Sequence, residues 1–255
     1  MSRDRLANLS ALAESAGREI LRHYHPGTAV RLKSDRTPVT EADEAAEALI
    51  LPELARIFPG VPCVAEEACA RGGIPSIGND SSFLLIDPLD GTREFLAGNG
   101  EFTVNIALIE AGSPVLGVVH LPALGVTYAG GPEGASLALA GEPPQPITAR
   151  AKPADGVIVL ASRSHNEGGE LDRYLEEHHV AERIAAGSSL KFCRVAEGLA
   201  DLYPRFGRTM EWDTAAGHAV LAAAGGRVDT LDGKPMRYGK PGFENPNFVA
   251  RGNWR

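Results

Sequence analysis

Apolar residues recur along this chain in two rhythms. Leu6, Leu9, Ala13, Ala16, Ile20 and Tyr24 fall three or four apart, which predicts an amphipathic helix over 4–24, ended by Pro26-Gly27. A polar stretch, Lys33 to Thr40, leads to a second helix starting near Glu41, with Ala45, Leu49, Ile50, Leu54 and Phe58 as its stripe. Pro52 sits inside that stripe and is expected to kink or break it. Phe83-Leu84-Leu85-Ile86 is a continuous apolar run and reads as a buried strand. Phe102, Val104, Ile106 and Leu108 then alternate with Thr103, Asn105 and Ala107, a strand with one apolar face. Glu110 to Ser113 turns the chain, and Pro114 to Leu121 returns as its hairpin partner; Tyr128 and Ala129 suggest a third strand.

Residues 130–155 are rich in Gly, Pro and Ala and read as a seam between two halves. Beyond it, Val157 to Ala161 predicts a short strand, followed by a polar helix at about 167–180. Another helix is expected after Gly187-Ser188-Ser189, and a third near Asp213, running on through Ala219–Gly226. Strands alternating with helices suggest a layered α/β arrangement. Trp212 reads as packing against a helix start, and His178-His179 as a helix surface or end.

Composition narrows the function classes. With 44% hydrophobic and 23% charged residues over 255 positions, the chain is an ordinary globular sequence. A formal net charge of −8 argues against a nucleic-acid-binding face. The three cysteines (Cys63, Cys69 and Cys193) suit a reducing cytoplasm better than a disulfide framework, and no second cluster gives them zinc-ligand spacing. No apolar run approaches the ~20 residues of a membrane span. The expectation is a cytoplasmic protein without an integral membrane segment, and peripheral association has no visible anchor.

The chemistry concentrates at Asp87-Pro88-Leu89-Asp90-Gly91-Thr92, directly after the buried strand. Unpaired buried carboxylates cost several kcal/mol, so two of them here demand a neutralising partner, and hard oxygen ligands so placed suit Mg²⁺. Gly91 turns the chain, and a short helix is expected from Thr92 to about Leu96, whose N-terminus favours an anion such as phosphate. Three further acidic positions are weak when taken singly. Glu66-Glu67 reads as a solvated turn, Asp43 as a first-turn acid and Asp213 as a helix N-cap.

As a set these segments resemble the inositol-monophosphatase-like family of Mg²⁺-dependent, lithium-sensitive phosphatases. The motif D-P-x-D-G-T stands intact at 87–92 and W-D-x-A-A-G at 212–217; the glutamate pair and Pro38 to Asp43 match as well. Within the family, Asn99–Leu108, Gly187–Cys193 and Leu202–Gly207 look like the bacterial CysQ-type branch of 3′(2′),5′-bisphosphate nucleotidases. That branch converts adenosine 3′,5′-bisphosphate to AMP and phosphate in sulfate assimilation.

The resemblance implies an α/β (α+β) fold, a layered αβαβα sandwich of the inositol monophosphatase and fructose-1,6-bisphosphatase type. An N-terminal α+β half, 1–145, would carry an antiparallel sheet and the metal motifs, and a C-terminal α/β half, 146–255, would contribute Asp213 and the nucleotide side of the pocket. It implies that Glu66, Asp87 and the Leu89 carbonyl hold one Mg²⁺, that Asp87, Asp90 and Asp213 hold a second, and that a third, looser ion sits toward Glu66 and Asp43. Thr92, with Asp43 or Glu66, would orient and deprotonate the attacking water, and the Gly91 and Thr92 N–H groups would grip the phosphate beside Asp90 and Asp213. Lys191 and Arg205 would anchor the second phosphate, with Ser188 and His165 as further contacts; Lys191 also reads as an exposed helix residue and His165 as a turn residue. Li⁺ is an expected inhibitor. The family includes both monomers and homodimers.

No cysteine or histidine nucleophile motif accompanies the acids, so direct hydrolysis without a phosphoenzyme is expected. Two rivals remain: an inositol or sugar phosphate as the substrate, and a non-catalytic sensor of phosphate ligands. Intact Asp43, Glu66 and Thr92 argue against the sensor, which needs no water activator. The Gly-rich stretch Ala68 to Ser82 carries no legible motif and is expected to form a loop near the metals.

Overall fold

A computed structural model describes residues 2–25, 30–32, 38–75, 77–78, 81–162 and 169–254. Helix α1 (Ser2–Arg22) buries Leu9, Leu12, Ala13, Ala16 and Ile20 along the predicted stripe. Strands β1 (Val30–Leu32) and β2 (Pro38–Thr40) pair as an antiparallel ribbon. Helix α2 (Glu41–Ile57) continues through Pro52, which does not break it. The ring removes a single N–H from the ladder, while Ile50 and Leu54, fully buried on either side, keep the helix on its sheet.

Strand β3 (Cys63–Ala65) leads straight into helix α3 (Glu66–Ala70), and β4 (Phe83–Asp90) into α4 (Thr92–Ala97). Then come β5 (Thr103–Glu110), β6 (Ser113–Leu121), β7 (Val126–Gly131), β8 (Gly134–Leu139) and β9 (Gln145–Ile147). Strands β3 to β9 form one sheet in chain order, antiparallel except for β3 beside β4. The stretch expected as a seam therefore supplies its last two strands.

The second half contains β10 (Val157–Ser162), α5 (Glu170–Leu175), β11 (Val180–Ala186), α6 (Leu190–Ala196), β12 (Leu202–Arg205), α7 (Glu211–Ala223), β13 (Arg227–Thr230) and β14 (Phe248–Arg251). Its strands form a mixed sheet in the order β11-β10-β12-β14-β13. Of the helix expected at 167–180, the described residues show Glu170–Leu175. His178 and His179 follow it, and β11 was not foreseen, because an exposed edge strand has no buried face to impose alternation.

The layers are set by which face each element buries. One face of the large sheet (Leu84, Ile86, Val104, Ile106, Leu108 and Val118) packs on α1 and α2. The other (Phe83, Leu85, Ala107, Ile109, Val119 and Tyr128) packs on α6 and α7, which in turn cover the small sheet. Leu175 of α5 closes the far side against Val157, Val159, Leu202 and Val249. The order is α, β, α, β, α, as expected. Strand β5 is buried on both faces rather than one, since it lies between two helical layers.

Helix α7 lies close against the large sheet. Gly117 and Gly130 are cross-strand partners on β6 and β7. A Cβ at Gly130 would stand 2.5 Å from Val220 Cα, and one at Gly117 would stand 2.5 Å from Ala216 O. On the flank that meets α6, a Cβ at Gly217 would meet the Phe192 ring at 2.6 Å. These three glycines fix how near α7, and Asp213 on it, approaches β4. Gly130→Val should cost about 3 kcal/mol by overpacking and lower Tm by roughly 6–12 °C. Calorimetry checks this, and an unchanged Tm would refute the close approach of α7 at Gly130.

Candidate active site

Strand β4 delivers two acids to one side through a bulge. Asp87 pairs with Asn105 and Asp90 with Thr103, so β4 spends one residue more than β5 over this stretch. Residues three apart on a regular strand face opposite ways; the extra residue brings both carboxylates to the α6–α7 side. Pro88, with no N–H to offer a ladder, sits inside the irregularity. Gly91 then adopts φ 91°, ψ 44°, a left-handed conformation that glycine takes without strain, and α4 begins.

The other acids arrive at helix starts. Asp43 is the third residue of α2, where its Oδ2 accepts from Thr40 N at 2.8 Å and Thr40 Oγ1 at 2.7 Å. Asp213 holds the same position in α7, where its Oδ2 accepts from Met210 N at 2.8 Å; it is not the N-cap. Glu66 opens α3, whose first N–H groups are held from outside. Buried Glu47 accepts from Glu67 N at 2.9 Å and Ala68 N at 3.2 Å, and pairs with Arg71.

Asp90 draws its donors from both halves of the chain. Its Oδ2 accepts from Ser189 N at 2.7 Å, Asn105 Nδ2 at 3.3 Å and Thr103 Oγ1 at 3.4 Å. Ser189 Oγ in turn donates to the Asp213 carbonyl at 2.6 Å, which ties the two acids together. Leu89 N donates to Asp87 Oδ1 at 3.0 Å. Thr92 Oγ1 donates to Asp43 Oδ1 at 3.4 Å.

Glu66, Asp87 and Asp213 each bring one oxygen to within 4.8 Å of the others. They line a cavity of about 420 Å³ together with Leu89, Asp90, Gly91, Thr92, Ser188, Lys191 and Arg205. Burial, then the neighbouring Asp90 and Glu66, push the Asp213 carboxyl well above the usual carboxylate range. Burial also raises Asp90, against the pull of Lys191 and the Ser189 N–H. A crowded set of oxygen donors that resists ionisation fits a hard divalent cation, which would remove the penalty.

Residues 2–254 match the model of the inositol monophosphatase family. The chain belongs to that family. It is 44% identical over 247 residues to the 3′(2′),5′-bisphosphate nucleotidase CysQ of Escherichia coli K12, covering 95% of this chain and 98% of that protein. The CysQ of Buchnera aphidicola is 42% identical over 254 residues, covering 97% and 94%. Among solved structures, CysQ from Bacteroides thetaiotaomicron, described as a bacterial member of the family, superposes with a TM-score of 0.80 at 35% identity, covering 99% of this chain and 98% of that one. The Thermotoga maritima IMPase TM1415 gives 0.79 at 28%, covering 98% and 92%.

Several expectations shift in detail. Lys191 is not an exposed helix residue. It is 4% exposed, its Nζ donates to Ser188 O at 2.8 Å and Ala186 O at 3.2 Å, and it stands 5.1 Å from the Tyr203 ring centroid. Burial, with Arg205 nearby, lowers its pKa to about 8 despite Asp90. Arg205 is buried on β12 and Ser188 adopts φ 40° at the cavity edge. His165 lies outside the described residues. Ala68 to Ala70 end helix α3 rather than open a loop, and Cys69, Ala70 and Ile74 line the cavity. Trp212 packs beside Phe243, with centroids 6.3 Å apart. Among the described residues no helix is long and apolar enough to cross a membrane.

Thr103, Asn105 and Ser189 went unassigned from sequence. The available signal was the polar pair Thr103 and Asn105 on a strand that is otherwise apolar.

The raised carboxyl pKa values have a consequence with a definite sign. A cation binds the ionised acids and so competes with protons for them, and because burial raises the Asp213 and Asp90 carboxyls its affinity must fall as pH falls. Mg²⁺ titrated calorimetrically at a series of falling pH values should bind progressively more weakly and come to release protons, read as a dependence of heat on the ionisation enthalpy of the buffer. An affinity unchanged across the series, with heat independent of buffer throughout, would contradict the electrostatics described.

Proposed function

We propose that the chain is a divalent-metal-dependent 3′(2′),5′-bisphosphate nucleotidase that converts adenosine 3′,5′-bisphosphate to AMP and inorganic phosphate. The carrying observation is one cavity lined by three carboxylates with oxygens within 4.8 Å and also by the buried cations Lys191 and Arg205. Acids with metal serve the ester being cleaved, and cations serve a second phosphate, Arg205 as a planar fork and Lys191 as a point charge. Relatives 44% identical over nearly their full length bear this activity in their names.

Glu66, Asp87, Asp90, Asp213 and the Leu89 carbonyl would hold Mg²⁺, as two ions with a looser third toward Asp43. The metal supplies the positive charge that lets a phosphate approach these acids and that acidifies water. Thr92 Oγ1 spends its hydrogen on Asp43, which leaves its oxygen as the acceptor for the attacking water. As that water's oxygen bonds to phosphorus, its proton passes to Thr92 and the threonine proton to Asp43. The bond from phosphorus to the ribose 3′ oxygen breaks, and that oxygen leaves with the electron pair and takes a proton from solvent water, while Asp43 returns its proton to solvent. Gly91 and Thr92 N–H groups would hold the phosphate oxygens, with Ser188 at the cavity edge.

Phosphate release measured side by side from adenosine 3′,5′-bisphosphate and inositol 1-phosphate tests the assignment. At least a tenfold preference for the bisphosphate is expected, with no turnover in excess EDTA and inhibition by Li⁺ at tens of millimolar. A tenfold preference for inositol 1-phosphate would move the assignment to an inositol phosphatase, and turnover in EDTA would remove the metal. Asp43→Asn should lower kcat by at least 10²-fold while leaving nucleotide binding nearly intact, the range of a lost general base. Near-normal kcat in that variant would eliminate the proton path through Thr92.

A further inference from the structure

Residues 239–245, Gly-Lys-Pro-Gly-Phe-Glu-Asn, belong to none of the motifs singled out in the sequence, yet they hold the segment that carries Asp213. Glu211, fully buried two residues before Asp213, accepts from Gly239 N at 2.7 Å and Lys240 N at 2.9 Å, and pairs with Lys240 Nζ at 2.6 Å. Asn245, 7% exposed, donates through Nδ2 to Met210 O at 2.7 Å, Thr214 Oγ1 at 3.1 Å and Thr209 Oγ1 at 3.2 Å. Its own N–H donates to Thr209 O at 2.9 Å.

Met210 is the residue whose N–H holds Asp213 Oδ2. Asn245 therefore grips the carbonyl of the residue whose amide orients the acid. Between these anchors Phe243 sits at φ 54°, a left-handed conformation that costs a bulky residue about 1–2 kcal/mol. Its ring is held between Phe83 and Trp212, the neighbour of Asp213, with centroids 6.5 and 6.3 Å away. Strain of this kind persists only where packing over-determines it, and it collects at functional sites.

We infer that residues 239–245 form a strap that sets the orientation of the Asp213 carboxylate for metal, with Asn245 and Glu211 as positioning residues. The inference rests on the metal-dependent reading above. Outer partners of this kind fix ligand geometry, and losing one typically weakens metal binding 10–100-fold.

The test uses the full chain and Mn²⁺ as the probe, with free ion counted by electron paramagnetic resonance and Tm measured separately in EDTA. Asn245→Asp keeps the shape but replaces the amide, whose two hydrogens serve Met210 O and the threonine hydroxyls, with an oxygen facing the Met210 carbonyl, and should raise the Mn²⁺ Kd about tenfold. Glu211→Gln keeps most of the packing and should raise it by a smaller factor, about threefold. Variants that lose Tm but bind Mn²⁺ as the wild type does would overturn the strap and leave the metal reading intact. A wild type that binds no Mn²⁺ overturns both. If Asn245→Asp does not fold, Glu211→Gln decides alone, and unchanged affinity there refutes the inference.

Discussion

The structure depends on holding like charges together. Two carboxylates ~4 Å apart repel by about 4 kcal/mol at an effective dielectric of 20, and this site gathers several. The chain counters the repulsion with fixed donors. Thr40 N, Leu89 N, Ser189 N and Met210 N each hold one aspartate oxygen. Two of these acids occupy the third position of a helix, where a carboxylate also satisfies an exposed backbone N–H and meets the positive end of the helix dipole. Capping α2 and α7 and presenting ligands are therefore one act, and neither helix start can be altered without moving the site.

Distance across the layers is the second constraint. Asp213 comes from the middle helical layer and Asp87 from the sheet beneath it, so their separation depends on how closely α7 lies on β4 to β7. Side chains at Gly117 and Gly130 would lift the helix by more than the tolerance of a metal site, whose ligand distances hold to about 0.2 Å. Packing density here is a functional variable. The Ser189 link from Asp90 to the Asp213 carbonyl then joins the two halves at the point where their acids meet.

Legibility in the sequence followed the range of the interaction. Asp87 to Thr92 was readable because the strand, the acids, the turn and the helix start are consecutive, and α1 was readable because its stripe is continuous. The bulge at Pro88 was hidden, since a change of strand parity leaves no mark in composition. Thr103 and Asn105 looked like the polar face of a half-buried strand; only the second helical layer turns that face into the support of Asp90. Strand β11 escaped because an exposed edge shows no alternation, and Pro52 left α2 unbroken because burial outweighed one missing hydrogen bond. The role of Ser189 depends on partners 84 and 99 residues away, beyond any local pattern.

The cations complete the electrostatic logic. Lys191 is buried at a cost that shows in its lowered pKa, and its field is shared by Asp90, Glu94 and Glu101. In the metal-free protein its charge offsets part of the acidic cluster. A divalent ion that takes over the neutralisation of Asp90 would leave that charge, with the Arg205 guanidinium beside it, available to an anion in the same cavity. Metal and bisphosphate binding would then reinforce each other through Asp90, because each lowers the cost of the other's charge. An acidic chain with formal net charge −8 can in this way build a site for a multiply charged anion without a basic surface.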